Sequence, residues 1–530
     1  MKPRLQTKIL LMAIALTLMV FSAMAISRLS FTRQREIPLK NIQFIDPGDS
    51  VETIALKASR VVPTDRQLKW QKRELAAFVH FGINTFTGNE HGKGTEDPAI
   101  FNPVDFDARQ WVRVFKEAGF RLVILTAKHH DGFCLWPTST TEHSVKRSPW
   151  RQGKGDVVRE VAEACREEGL DFGFYLSPWD RHEKTYGTPE YNQFFQAQLR
   201  ELLTNYGPIA EVWFDGYCGE GPGGRKQVYD WNSYYRLIRS LQPGAVIAIM
   251  GPDVRWVGNE SGLARESEWS VIPLRASEEA LVRLRTGQTS MEEVFQPADL
   301  IGEDLGSRLV IAGAKALFWY PAEVDVSIRP GWFYHESQDS QVKTPEELFE
   351  IYLKSVGHNS VLLLNIPADR RGLISESDIR SLRGWRLLLD RSFNEGYIPK
   401  VELRASSERP GYEARHLLAK EPEVAWSPNT WRKPVSVEIF LKTESVFDCL
   451  ELGEDISFGQ RIEAFAVEVW KEGKWMEIAR GTTVGYKRLL TFSPVIAGRV
   501  RLTILQSRDV FYLNRLNLYK LAVKPGNQGS

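Results

Sequence analysis

The run Glu211-Val212-Trp213-Phe214 is an apolar strand that leads straight into the carboxylate of Asp215. A carboxylate at the end of a buried strand costs free energy unless it is fully hydrogen-bonded or used. The same place, the C-terminal end of an apolar run, is polar elsewhere in the chain. His80 follows Ala76-Ala77-Phe78-Val79, the pair His129 and His130 follows Arg121 to Thr126, and Tyr175 and Ser177 close the run that starts at Asp171. A carboxylate can act as nucleophile, acid or base. Neutral imidazoles both donate and accept hydrogen bonds, so with nearby aromatic rings they suit a hydroxyl-rich ligand. Asp215 also has a structural reading, as N-cap of a following helix. A His-rich site could instead hold a metal. Adjacent strand residues face opposite ways, however, so His129 and His130 share a metal only if the strand has already ended, and the first strand has no His-x-His. Cys134, Cys165, Cys218 and Cys449 match no zinc spacing and read as buried free thiols.

Elements that could bring these residues together are legible from about Leu75 to Asn394. Short apolar strands (Ala76–His80, Arg121–Thr126, Asp171–Leu176, Glu211–Phe214, Ala245–Met250) alternate with amphipathic helices over Ala108–Ala118, Asp156–Glu168 and Glu190–Asn205. Gly119 and Gly169 close the first two helices. Later apolar runs are Leu309–Ile311, Ala316–Trp319 and Val361–Leu364. Strands apolar on both faces, each followed by a helix, read as a parallel sheet covered by helices. The fold class expected is α/β, a TIM-like (β/α) barrel with its site at the C-terminal strand ends. An open doubly wound sheet is the alternative, weakened by the lack of a G-x-G-x-x-G after the first strand. After about Pro399 the pattern becomes short alternating strands, including Val435–Phe440, Ala464–Trp470, Trp475–Ile478 and Arg499–Ile504, with Lys471–Lys474 as a hairpin turn. This predicts a separate antiparallel β-sandwich domain.

At the N-terminus Lys2, Arg4 and Lys8 precede an apolar segment, Ile9–Val20, and the small-x-small site Ala23-Met24-Ala25. This reads as a signal peptide over residues 1–25, hence export to the periplasm or outside the cell, with an uncleaved anchor as the alternative. The divisions expected are a leader (1–25), a lead-in segment (26–69), a barrel (70–395) and a β-sandwich (399–525). After leader cleavage no stable membrane insertion is expected. Net charge is +1 with no basic or acidic block, which gives nucleic acid no support as a partner and favours a neutral ligand.

Phe78-Val79-His80-Phe81-Gly82, Lys128-His129-His130-Asp131-Gly132-Phe133-Cys134-Leu135-Trp136 and Trp213-Phe214-Asp215-Gly216 together resemble the α-L-fucosidases of glycoside hydrolase family 29, in order and spacing. The resemblance implies a retaining hydrolase with Asp215 as nucleophile and neither metal nor organic cofactor. It implies that His80, His129 and His130 bind fucose hydroxyls, that Tyr175 and Trp213 line the pocket, and that Glu90 is an acidic hydroxyl-binding residue. Trp332 is expected on the sugar or in the core. The acid/base candidates are Glu260, Glu323, Glu266 and Glu268. Arg255-Trp256-Val257-Gly258-Asn259-Glu260 resembles the branch that cleaves α-1,3 and α-1,4 linkages, which puts Glu260 first and Glu323 second. Fucosylated oligosaccharides or glycoconjugates are the implied partners. The C-terminal module resembles discoidin-like, galactose-binding-like domains, with Trp426, Trp431 and Arg432 in an early loop where such modules often bind ligand. A barrel glycosidase for another sugar, or a non-catalytic sugar-binding protein, are the competing functions.

Overall fold

The computed structural model describes residues 37–297, 300, 302–398, 401–419 and 423–523. The leader predicted over residues 1–25 lies outside these. From Lys40 onward the described residues form one compact unit.

In chain order the first strands are β1 (Ile42–Phe44), β2 (Leu75–Val79), β3 (Leu122–Lys128), β4 (Asp171–Leu176), β5 (Glu211–Phe214), β6 (Val246–Ile249), β7 (Arg255–Trp256), β8 (Val271–Pro273), β9 (Ala316–Trp319), β10 (Ala322–Ser327) and β11 (Val361–Asn365). An 8-stranded parallel sheet runs β6-β5-β4-β3-β2-β11-β10-β7. A single parallel bridge, Ala248 to Val254, brings its two ends together, so the sheet is a nearly closed barrel. Most strand faces are apolar because both sides of the sheet are covered. Phe78, Leu122, Ile124, Val246 and Leu363 fill the bore. Ala77, Val79, Val123, Leu125, Val212 and Ile247 face the surrounding helices.

The helices begin and end where local chemistry dictates. Asp107 caps Ala108–Ala118 by accepting from Gln110 N, and Gly119 ends it at φ +100°. Trp111, Val112, Phe115 and Ala118 fall on one face at helical spacing and are buried. Burial of each large side chain is worth about 1.5–3 kcal/mol. Asp156 and Gly169 do the same for Val157–Glu168.

Three expectations need correction. Leu309-Val310-Ile311 is not a strand but part of a short helix, Arg308–Ile311, started by the Ser307 cap; only Ile311 is buried, so no sheet receives the run. Ala316–Trp319 is a strand, β9, but it lies outside the barrel in a 3-stranded antiparallel sheet, β1-β9-β8. The barrel strand there is β10, disguised because its residues alternate. Ala322, Val324 and Val326 pack outward, which leaves Glu323, Asp325 and Ser327 for the opposite face. The strand–helix rhythm also breaks between β6 and β7, which only a tight turn separates.

The remaining strands are β12 (Glu402–Ala405), β13 (Val435–Glu454), β14 (Ile462–Lys471), β15 (Lys474–Gly481), β16 (Arg488–Ser507) and β17 (Leu513–Tyr519). They form a 6-stranded antiparallel sheet, β12-β13-β16-β14-β15, with β17 on β13. The long β13 and β16 bulge near Phe440–Ser445 and Phe447–Cys449 and run through both halves of the domain. The expected hairpin is present: Lys471 pairs with Lys474, and Glu472 and Gly473 both take positive φ, as a two-residue turn requires. Trp426, expected near a ligand loop, is buried in this domain's core and its indole donates to Ser407 O. Trp431 is half-buried with Arg432 over its ring. The cysteines are free; Cys134, Cys165 and Cys449 are buried, while Cys218 is half-buried.

Candidate active site

The C-terminal strand ends open into a cavity of about 980 Å³. His80, Glu90, His129, His130, Tyr175, Trp213, Asp215, Glu260 and Trp332 all line it, so the fold brings these candidates together. β3 ends at Lys128, which frees His129 and His130 to turn the same way; their ring centres are 4.2 Å apart. The pair is anchored from behind by the fully buried Lys128, whose ammonium donates to Asp180 Oδ2 at 2.9 Å and Gln198 Oε1 at 2.9 Å. A buried charge is tolerable only with such partners.

Hydrogen-bond partners fix each imidazole. Asn365 uses its amide NH₂ on Ser327 Oγ and Trp332 O, so its oxygen accepts from His80 Nδ1–H at 2.8 Å. Ser177 donates its hydroxyl to Trp179 O, so it accepts from His130 Nδ1–H at 2.7 Å. Both rings therefore offer an Nε2 lone pair. His129 differs. Its Nδ1 lies 3.5 Å from the amide nitrogen of Asn84, whose two hydrogens are directed to Glu90 O at 3.1 Å and Asp131 Oδ2 at 3.0 Å. Burial pushes His80 and His130 down to about 3, and His129 well below its ordinary value. All three are neutral near pH 7. His130 Nε2 and Asp215 Oδ2 stand 3.6 Å apart as two facing acceptors.

Asp215 is held rigidly. Oδ1 accepts from Tyr217 N at 2.7 Å and Oδ2 from the Tyr175 hydroxyl at 3.2 Å. Burial raises its carboxyl to about 6, while these two hydrogen bonds pull the other way. Glu90 has a different situation from a free hydroxyl acceptor. Oε2 accepts from Trp332 N at 3.0 Å and Phe333 N at 3.3 Å, and His335 Nε2 lies 3.3 Å from Oε1. It ties down the loop that presents Trp332.

Of the acid/base candidates only Glu260 reaches the cavity. Glu323 is fully buried in the bore, where it accepts from Trp213 Nε1 at 2.8 Å and is hydrogen-bonded to Glu211; burial and the Glu211 charge hold its carboxyl well above the ordinary range. Glu268 is buried between Arg255 and Arg265, and Glu266 pairs with Arg488. Glu323, the second candidate, instead orients the indole of Trp213.

One carboxylate was missed. Asp325 lines the cavity and accepts from Trp256 Nε1 at 2.7 Å. Burial, with the Glu260 and Asp215 charges adding to it, raises Asp325 to about 7 against the pull of the Trp256 hydrogen bond. The signal for it existed: it is one strand period beyond Glu323, towards the C-terminal end of β10. His91 and Tyr217 also line the cavity, their rings stacked at 5.9 Å. Among the described residues no group of His, Cys, Asp and Glu is arranged to hold a metal ion.

A model of the α-L-fucosidase family matches residues 64–386. Alpha-L-fucosidase 1 of Arabidopsis thaliana is 42% identical over 467 residues, 86% of this chain and 87% of its own. A crystal structure from Bacteroides ovatus has a TM-score of 0.80 at 46% identity, covering 93% of this chain and 80% of that one. A Ruminococcus gnavus GH29 fucosidase in complex with fucose has a TM-score of 0.77 at 31% identity, covering 87% of this chain and 95% of its own. With a family model over more than half its length, relatives of this extent and a cavity built for a hydroxyl-rich ligand, the chain belongs to the α-L-fucosidase family.

Proposed function

We propose that this α-L-fucosidase is a retaining enzyme that works by double displacement, with Asp215 as nucleophile and Glu260 as acid/base. The carrying observation is that Asp215, fixed by Tyr217 N and the Tyr175 hydroxyl, shares one cavity with Glu260 while the rival glutamates are buried or paired elsewhere. A terminal α-L-fucosyl group occupies the cavity, a reading supported by the Ruminococcus gnavus relative in complex with fucose. The Nε2 lone pairs of His80 and His130 accept from its hydroxyls, and His129 faces them from the same side of the cavity. Asp215 attacks the anomeric carbon as Glu260 gives its proton to the departing oxygen. The fucosyl ester forms with inversion. Glu260, now a carboxylate, takes a proton from water, and a second inversion at the same carbon restores the α configuration. Retaining pairs stand about 5–5.5 Å apart.

Asp215 must be ionised to attack. With its carboxyl raised to about 6, kcat/KM falls about tenfold per pH unit once the pH drops below that value. Tyr175→Phe removes a hydrogen bond that favours the charged form. Its acid limb therefore moves to higher pH. A kcat/KM profile of the two proteins checks this, and an acid limb that stays in place counts against Asp215 as the group that titrates.

The substrate proposed is a branched α-1,3- or α-1,4-fucosylated glycan, on the resemblance of Arg255–Glu260 to that branch. The enzyme is proposed to be exported, with its leader removed near Ile26, and its antiparallel domain to be of the discoidin-like kind. The test is kcat/KM on a Lewis-type trisaccharide, a 2′-fucosylated one and an aryl fucoside. The branched substrate is expected to be cleaved fastest; faster cleavage of the α-1,2 linkage places the enzyme in the broader-specificity branch.

A further inference from the structure

The Glu260 carboxylate has no hydrogen-bond or ion-pair partner among the described residues. Among these residues its backbone alone sets its position, unlike Asp215, His80 and His130, whose side chains are held inside the barrel. That backbone is an arch between β7 and β8. Its near end is fixed in the barrel, where Val257 N donates to Glu323 O at 2.9 Å. Its crown is folded on itself: Asn259 Nδ2 donates to Leu263 O at 2.9 Å, and Asn259 Oδ1 accepts from Ser261 N at 3.1 Å.

The far end of the arch is held from both sides: within the barrel Ala264 N donates to Lys354 O at 2.9 Å and Asn359 Nδ2 to Glu268 O at 3.1 Å, and the segment also rests on the other domain. Arg488, at the start of β16, donates from Nη1 to Glu266 O at 2.8 Å and from Nη2 to the Glu266 carboxylate. Thr482 Oγ1 donates to Glu266 O at 3.2 Å and accepts from Ser267 Oγ at 2.9 Å. Gln460 Nε2 donates to Glu268 O at 3.0 Å while its Oε1 accepts from Ser270 N at 2.8 Å. The Arg508 guanidinium lies 3.7 Å over the Trp269 ring. Arg488 and Gln460 are buried. Arg255 ties the two ends together by bonding Glu268 and Trp269 O. Four side chains of the antiparallel domain thus converge on the short segment Glu266–Ser270.

We propose that the antiparallel domain is part of the catalytic apparatus: it is the abutment of the arch that carries Glu260, and Arg488 is a positioning residue for proton transfer to the leaving group. The proposal rests on the reading of Glu260 as acid/base. Misplacing a reacting group by about 1 Å can cost on the order of 10²-fold. Loosening the abutment moves Glu260 and leaves the fucose pocket, which the barrel holds, as it was.

The test uses the full-length enzyme with Arg488→Met, Arg488→Lys, Thr482→Val and Glu260→Ala. First-step rates are measured on aryl α-L-fucosides of graded leaving-group acidity and on a natural trisaccharide. Arg488→Met is expected to lower trisaccharide cleavage ~10- to 100-fold, leave an activated aryl fucoside within about twofold with unchanged KM, and steepen the dependence on leaving group. Arg488→Lys restores part of the loss, and Thr482→Val shows a smaller loss of the same kind. Thr482→Val removes only a half-buried hydroxyl, so it decides the matter if Arg488→Met does not fold. Even losses across all substrates, or none, from the folded variants overturn the proposal while Glu260→Ala still shows leaving-group dependence. If Glu260→Ala itself shows none, the acid/base reading has failed instead, and the positioning role falls with it.

Discussion

Asp215→Ala is expected to lose several orders of magnitude in turnover on every α-L-fucoside, activated or not, while the fold stays intact. The other groups at the cavity are otherwise engaged: His80 and His130 face the ligand as neutral rings, Glu260 is needed at the leaving oxygen, and the Asp325 carboxyl is bonded to Trp256 and raised to about 7. A loss of ~10⁴-fold corresponds to about 5.4 kcal/mol of transition-state stabilisation. The fold survives because Asp215 is bonded only to Tyr217 N and the Tyr175 hydroxyl, in a cavity open to water that can replace the carboxylate on both. Azide fits the vacated space and attacks from the face Asp215 used, so an α-fucoside gives a β-fucosyl azide. Near-wild-type turnover in a folded Asp215→Ala protein rules out the assignment.

Glu260→Ala is expected to behave differently, and the difference identifies its role. A general acid matters most when the leaving group is poor, and positioned proton transfer is worth roughly 10²–10⁴-fold. Cleavage of a natural oligosaccharide should fall by about that factor, whereas the first step on a fucoside with an activated phenol changes little. The second step also loses its base, so the activated substrate shows a burst followed by slow turnover. Azide needs no deprotonation. It relieves the second step and gives an α-fucosyl azide, opposite in configuration to the Asp215→Ala product. Glu323→Ala serves as the comparison. Its carboxyl lies in the bore against Trp213 and Glu211, so its loss lowers all substrates together. Leaving-group dependence in Glu323→Ala, with an even loss in Glu260→Ala, exchanges the two roles.

The barrel and most of its site were legible because their signals are local. Asp107 and Asp156 before apolar faces, and Gly119 and Gly169 after them, set helix ends that the structure reproduces. Apolar strands ending on His80, Tyr175 and Asp215 pointed to one face of the sheet. What was lost depends on partners distant in sequence. β10 did not look like a barrel strand because it carries Glu323 and Asp325, and a buried carboxylate is affordable only with donors such as Trp213 and Trp256, far away in the chain. Asp325 went unseen as a cavity residue for the same reason. Trp426 looked like a ligand platform from its loop context and is core, because Phe511 and Leu513 of a later segment close over it. The support of the Glu260 arch by Arg488 spans the two domains, and no spacing rule reaches that far.

Double displacement requires a covalent bond between Asp215 and fucose. An α-L-fucosyl fluoride with fluorine in place of the C2 hydroxyl tests it most directly. The fluorine slows both displacements, while fluoride departs readily without a proton, so the ester accumulates. The measurement is peptide mapping by mass spectrometry of the inactivated enzyme. One added fluorofucosyl group is expected, on Asp215, released with recovery of activity when azide or an acceptor sugar is supplied. A label on Glu260 or Asp325, or turnover of the reagent with no covalent adduct, contradicts it.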